Sequence, residues 1–351
     1  MKSKNNYKMQ YGISKIKRNL GRGLFEGPTN LIITISLSTI LSIIISKIYS
    51  WIVFDADWSV VKNNLTLFAF GSYPQVYIWR PLIWLLIVIS ISLYTIMMPS
   101  KFLNKHIVAT AWLFILPVGI FLLAGGFGLE EVHTNNWGGI SLTLILTISS
   151  GLLALPFGVL LALGRQSNLK VLSNFCRLYI DIVRASPLIT VLFFGQLLIP
   201  LFLPQGLEVS RVIRAILAFA IFAASYMAED IRGGIQSIPK TQIEAAEALG
   251  LNKFECLILI ILPQGFRVAI PSLTNQMIGL LQNTSLMAIL GLVELLGITR
   301  SLLANPNYIG GYMEAYVWIG LIYWLSCTFI SALFRKLENN LSYNINKSEA
   351  K

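Results

Sequence analysis

Apolar residues fall along this chain in long blocks, without the strict alternation that marks a half-buried strand. The blocks are Leu31–Ile52, Pro81–Met98, Ile107–Gly125, Ser141–Leu163, Leu188–Leu203, Val212–Ala228, Pro263–Leu281 and Ala315–Phe334. Each is close to the length that crosses about 30 Å of hydrocarbon. A backbone in lipid must satisfy its own hydrogen bonds, and these blocks are too long and too uniform for barrel strands. The pattern therefore predicts an all-α integral membrane protein with about eight transmembrane helices. One stretch breaks the pattern: Lys240 to Pro263 reads KTQIEAAEALGLNKFECLILIILP, an Ala/Glu segment, a glycine and a second segment running up to a proline.

Composition supports the membrane reading, with 55% hydrophobic and only 12% charged residues. The net charge of +11 would suit nucleic acid if it formed one patch, but the positive residues sit beside the apolar blocks. Lys2, Lys4, Lys8, Lys15, Lys17, Arg18 and Arg22 precede the first block; Lys101 and Lys105 follow the second; Arg335, Lys336, Lys347 and Lys351 follow the last. Asp55, Asp57, Glu130 and Glu131 occupy the intervening segments. By the positive-inside rule both termini are expected in the cytoplasm, with the basic ends against lipid headgroups and no nucleic acid bound. The same rule puts residues Glu229 to Leu262 on the cytoplasmic side.

About thirty polar residues come before the first block, too many for a cleavable signal peptide, so the block is expected to remain. Cys176, Cys256 and Cys327 are odd in number and far apart, which fits neither a disulfide framework nor a metal site. His106 and His133 fall in loops on opposite sides of the membrane, so no metal is expected. Organisation changes near Trp137. Residues 1–136 form a tail and three blocks whose loops carry no recognisable chemistry, with Trp58, Tyr73 and Tyr77 suited to a membrane interface. Residues 137–337 hold five blocks with polar residues, Gly and Pro inside or beside them, and 338–351 form a tail.

In the odd stretch, Lys240 and Glu244 are one turn apart, and Ala245, Ala248 and Leu249 share a face that allows close approach. Gly250 is expected to end the first helix in a left-handed conformation. The result is helix, sharp turn, helix, either lying on headgroups or contacting a partner. In the next block, Ser272, Gln276, Gly279 and Asn283 recur at helical spacing as a polar and small stripe, which must face protein or water. Gln196 in the fifth block could line the same route. Glu229 and Arg232, one turn apart, are expected to form a structural ion pair.

Here a family resemblance enters. Glu244-Ala245-Ala246, then Gly250, then Ile260, Leu262 and Pro263 resemble the EAA coupling motif of ABC importer membrane subunits. The runs Tyr226 to Pro239, Arg184 to Leu188, Leu262 to Gln264 and Asn283 to Leu286 resemble the polar amino-acid branch, the histidine, glutamate, glutamine and arginine permeases. Trp137-Gly-Gly and the three additional N-terminal helices look closest to general or neutral L-amino-acid permease subunits. The resemblance implies a five-helix type I ABC importer core preceded by three helices, in the bacterial inner membrane. It implies that the 244–263 loop docks on a separate ATPase that carries ATP and Mg, while this chain binds no cofactor and catalyses nothing. It implies a second homologous subunit, or a second copy, and a periplasmic amino-acid-binding protein. The pathway would run past Gln196, Ser272, Gln276, Gly279, Asn283, Thr284 and Ser285. Gln282-Asn283 stands where the branch usually has Lys-Asp, so the role of that ion pair does not carry over, and a broad or neutral amino-acid range is expected.

Two rival classes were weighed, an ion-coupled secondary transporter and a membrane-embedded lipid-modifying enzyme. An enzyme needs a nucleophile, an acid-base pair or a metal cluster near the membrane, and none is visible. A secondary transporter usually carries an intramembrane carboxylate and inverted repeats, and neither stands out. The chain has no GxxxxGK[ST] phosphate loop, so its energy must come from another subunit.

Overall fold

The computed structural model describes residues 24–25, 27–99, 104–126, 128–204, 206 and 208–349, with 105, 106 and 340–349 described by backbone alone. The basic residues Lys2 to Arg22, Lys101 and Lys351 lie outside the described residues, and the side chains of Lys105, His106 and Lys347 are likewise not described. By contact the chain divides into two units, Met1–Trp58 and Ser59–Lys351.

The first unit is the helix α1, Pro28–Ser50, prolonged by a π turn over Trp51–Asp55. No side chain of it is buried within the unit, as expected of a helix whose apolar surround is lipid. Trp51 and Trp58 lie ring to ring at 6.0 Å.

The second unit contains α2 (Ser59–Lys62), α3 (Leu65–Phe70), α4 (Trp79–Met97), α5 (Lys105–Ala124), α6 (Gly139–Arg165), α7 (Lys170–Ala185), α8 (Leu188–Phe202) and α9 (Arg211–Gln236). After these come α10 (Lys240–Ala248), α11 (the helical run Lys253–Leu290), α12 (Leu295–Leu303) and α13 (Tyr312–Glu349). Among the described residues the structure is helical without a named strand. Seven helices are long and apolar enough to cross a membrane, eight if α7 and α8, bent by 108° at Ser186-Pro187, count as one broken span. This matches the eight apolar blocks. α7 itself was not evident as a helix from the blocks, because Lys170, Arg177, Asp181 and Arg184 interrupt its apolar residues; Cys176 and Ile180 are buried, while Val171, Phe175, Leu178 and Ile182 are exposed.

The centre is α6 crossing α9. Small side chains permit the close approach that lipid-embedded helices need: a Cβ on Gly158 would meet Met227 and the Ala224 carbonyl, and Ala215, Ala218, Ala223, Ala224 and Ala228 of α9 are buried. Ser150 Oγ donates to the Ile216 carbonyl at 3.2 Å across the same contact.

Within the second unit, the segment from Ser59 to Trp137 folds onto that centre. Gly71, at φ +65°, abuts the backbone of Gly138, and Phe68 packs with Leu295, Ile298, Leu302 and Ile319. Tyr73 is buried with its hydroxyl donating to the Leu123 carbonyl at 2.9 Å, and Tyr77 donates to the Glu130 carboxylate. Both tyrosines are therefore tied within the protein by their hydroxyls. Arg80, 2% exposed, donates to the Glu130 carbonyl at 2.7 Å and stacks over the Tyr77 ring.

Candidate functional site

The loop from Lys240 to Pro263 is built by local chemistry. α10 follows Pro239 and ends where the amide of Gly250 donates to the Glu247 carbonyl at 2.9 Å and that of Leu251 to the Ala246 carbonyl at 3.1 Å. This paired closure needs a residue with positive φ, and Gly250 sits at φ +86° with open space around it. α11 then starts with a full capping box: Asn252 Oδ1 accepts from the amides of Phe254 and Glu255, and Glu255 returns a carboxylate to the Asn252 amide. Such reciprocal bonds satisfy amides that a helix start leaves over.

Pro263 has no amide to donate and its ring crowds the carbonyl four residues earlier. The helix answers with a π turn over Leu257–Ile261 immediately before it, so Ile260 and Leu262 stand in and beside a widened turn. One side-chain bond holds the loop to the spanning part, Gln264 Nε2 to Gln242 Oε1 at 2.8 Å. Ala246 is buried, while Glu244, Ala245, Glu247, Ala248 and Leu249 are exposed, Leu249 at 83% and the nearby Phe254 at 68%. Lys240 and Glu244, though one turn apart, make no ion pair.

At the neighbouring end of α9, Glu229 gathers charges from three helices. Arg232 Nη2 approaches its Oε2 at 2.7 Å, Arg165 of α6 donates to its Oε1, and Arg184 of α7 lies at 3.7 Å. Arg165 also reaches Asp181 of α7 at 3.4 Å. The pair expected from spacing, Glu229 with Arg232, is thus the local part of a larger cluster. Arg165, Asp181 and Arg184 were missed because their partners lie tens of residues away; the only signal was charge at helix ends in a chain so poor in charge.

The other sites singled out by sequence separate into tied and open groups. Gln196 is buried and binds α8 to α9: its Nε2 donates to the Arg211 carbonyl at 2.9 Å, and its own carbonyl accepts from Arg214. Thr284 Oγ1 donates to the Leu281 carbonyl and Ser285 Oγ to that of Gln282, both along α11. Ser272 is exposed, Gly279 has nothing within 4 Å of where a Cβ would stand, and Asn283 is half-buried. Gln276 Nε2 donates to Asp230 Oδ2 of α9 at 3.0 Å, a partner that helical spacing along α11 gave no means of seeing. The cysteines are free, and the described residues contain no cluster of metal-ligating side chains.

Three comparisons bear on this geometry. Residues 154–343 match the model of the family described as "Binding-protein-dependent transport system inner membrane component". The inner membrane amino-acid ABC transporter permease protein YhdY of Escherichia coli (strain K12) is 34% identical over 338 residues, covering 92% of each chain. The glutamate/glutamine/aspartate/asparagine transport system permease protein BztC of Rhodobacter capsulatus is 38% identical over 214 residues, 61% of this chain and 49% of that protein, so the match spans about half of BztC's length. A crystal structure of an amino acid ABC transporter with histidines superposes with a TM-score of 0.50 at 27% identity, over 56% of this chain and 89% of that one. Membership of this family makes the chain a multi-pass transport subunit, with an ATPase partner and a second permease subunit implied. It leaves no support for the rival readings of secondary transporter or lipid-modifying enzyme. The chain belongs to the binding-protein-dependent transport system inner membrane components, the permease subunits of ABC importers.

Proposed function

We propose that this chain is the permease subunit of an importer of amino acids, broad or neutral in range, and that α10 is where a separate ATPase pushes on it. The observation that carries the reading is the exposed, self-contained loop from Lys240 to Pro263. Glu244, Ala245, Ala248 and Leu249 face outward with no side-chain partner in the chain, while one end of the loop runs without a break into the polar stripe of α11. A surface finished on its inner side and left open outside suits a docking helix. Force on it would reach Ser272, Gln276 and Gly279 along one continuous helix.

In this reading both termini and α10 face the cytoplasm, the ATPase carries ATP and Mg, and a soluble amino-acid-binding protein delivers substrate from the opposite side. The second permease subunit is a homologue or another copy of this chain. The polar amides Gln282 and Asn283 can hydrogen-bond a zwitterion without the fixed field that would favour a charged side chain, which argues for neutral substrates. The test is uptake into proteoliposomes holding the chain with its ATPase, second permease and binding protein. ATP-dependent uptake of labelled neutral L-amino acids is expected, together with a cytoplasmic signal from a reporter placed near Leu251. Uptake that ignores ATP would overturn the importer assignment. Displacement of label only by arginine and lysine, or only by glutamate and aspartate, would overturn the range.

A further inference from the structure

Glu229 and Asp230 are adjacent on α9 and meet opposite fates. Glu229 has three arginines around it. Asp230 points to α11, where its Oδ2 accepts from Gln276 Nε2 at 3.0 Å; among the described residues no arginine or lysine comes within ion-pair distance of it. A carboxylate at the centre of a spanning helix costs roughly 2.5–3.5 kcal/mol to insert, and Asp230, nearer the end of α9, carries part of that cost. If the contact with Gln276 only held α9 to α11, an asparagine would make the same hydrogen bond without that cost. Arg184 acts on that charge only from beyond ion-pair distance, which leaves the place of a contacting cation open.

The surroundings say which cation fits. The amide of Gln276 gives one of its two donors to Asp230, and Gln276 Oε1 and Asp230 Oδ1 remain as two acceptors beside that bond. The same face of α11 carries exposed Ser272 and the open space at Gly279, so a small solute has room beside Gln276. A primary ammonium has three donors, no acceptor and one positive charge, which two neighbouring acceptors and a carboxylate complement.

We infer that Asp230, held by Gln276, is a specificity-determining residue that binds the α-ammonium group of the transported amino acid. The inference rests on the amino-acid reading above and deepens it. All amino acids share that ammonium, so Asp230 selects the class while leaving the side chain unspecified. The proposal assigns no role to Glu229, whose acceptors are taken by arginines.

The test uses the assembled permease–ATPase complex in detergent, without the binding protein, so that discrimination belongs to the membrane subunits. Binding of L-leucine and L-glutamine is compared with that of their des-amino counterparts, 4-methylpentanoate and 4-carbamoylbutanoate. The wild-type complex should favour the amino acids at least tenfold. Asp230→Asn should bring that ratio to within about threefold of unity, and Asp230→Glu should restore part of it. An unchanged ratio in Asp230→Asn, with amino-acid binding intact in the wild type, overturns the proposal alone and marks the pair as a packing contact. A wild-type complex that binds neither amino acid overturns the transport reading and this proposal with it.

A second measurement needs no variant. Wild-type complex is treated with a water-soluble carbodiimide and an amine, and labelling at Asp230 is read from peptide masses. Protection by L-leucine or L-glutamine but not by the des-amino acids is expected. Equal labelling with and without amino acid overturns the assignment even if every Asp230 variant fails to assemble.

Discussion

The helix α10 and the arginine cluster around Glu229 lie at the same end of α9, yet they are made in opposite ways. α10 is closed by its own residues, with Gly250 at its end and Asn252 and Glu255 starting the next helix, and Glu244, Ala245, Ala248 and Leu249 are exposed on it. Glu229 is held by residues of α6, α7 and α9, and without the contacts from α6 and α7 it would keep only Arg232, its neighbour on the same helix. A surface that serves a partner can be changed without disturbing the fold, whereas a cluster that joins three helices cannot.

The largest expected effect separates the two cleanly. Glu244→Lys reverses the charge of a fully solvated side chain in α10, and we expect uptake to fall to background while membrane insertion and thermal stability stay as in the wild type. Normal uptake would remove α10 from any role in coupling. Glu229→Gln should do the converse. It leaves Arg165, Arg184 and Arg232 facing one another without their common counter-charge, and losing one partner of a buried pair costs about 3 kcal/mol, at the low end of such losses because the carboxylate is still 16% exposed. A thermal-shift measurement on the purified chain checks this; an unchanged transition would show the cluster to be solvent-screened ornament on the helix ends.

What the sequence made legible follows the same division. The apolar blocks located the spans because each helix must satisfy its hydrogen bonds alone, and Gly250 was expected to end α10 because its cause lies within a few residues; the Asn252 cap and the turn before Pro263 are equally local but were not read from the sequence. Asp181, Arg184 and Arg165 could not be assigned to Glu229, since that assignment depends on α7 bending by 108° away from α8, a geometry set by packing. For the same reason nothing along α11 named Asp230 as the partner of Gln276. Gln196 was named only as a residue that could line the route, and nothing in the sequence showed the ties it makes to Arg211 and Arg214 between α8 and α9.

A smaller effect is expected at the other end of the molecule, where Glu294 caps α12. Its carboxylate accepts from the amides of Leu296 and Gly297 at 2.8 and 2.9 Å and from the Tyr323 hydroxyl at 3.2 Å. Burial nevertheless outweighs these bonds and pushes the carboxyl up from 4.5 to about 7. The folded state then holds a proton that the unfolded state has released over this interval, so folding is favoured by this group at low pH and the contribution is lost as pH rises from about 4.5 through about 7. At about 1.4 kcal/mol per pKa unit, the shift from 4.5 to about 7 sets a loss of about 3 kcal/mol across that window. Glu294→Gln, which keeps a hydrogen-bond acceptor and cannot ionise, should flatten the profile. A profile unchanged by the substitution would place the titration elsewhere.

The smallest effect tests the comparison within a single dipeptide, Gly233-Gly234, which sequence cannot resolve into two roles. Both are helical residues of α9, one turn beyond Glu229. A Cβ on Gly234 would press into the carbonyl of Gly265 on α11, whereas Gly233 has nothing within 4 Å. Gly234→Ala should therefore destabilise the α9–α11 contact by about 1–3 kcal/mol, as overpacking of rigid backbone does. Gly233→Ala should be neutral or stabilise by up to about 1 kcal/mol, because alanine is the better helix former. Measured in parallel on the assembled complex, the two variants also ask whether the open side of Gly233 belongs to a partner. If Gly233→Ala leaves the isolated chain as stable as the wild type but weakens its association with the ATPase, the partner-facing surface extends from α10 back along α9. If it weakens the isolated chain instead, the packing around α9 is tighter than the open space at Gly233 allows.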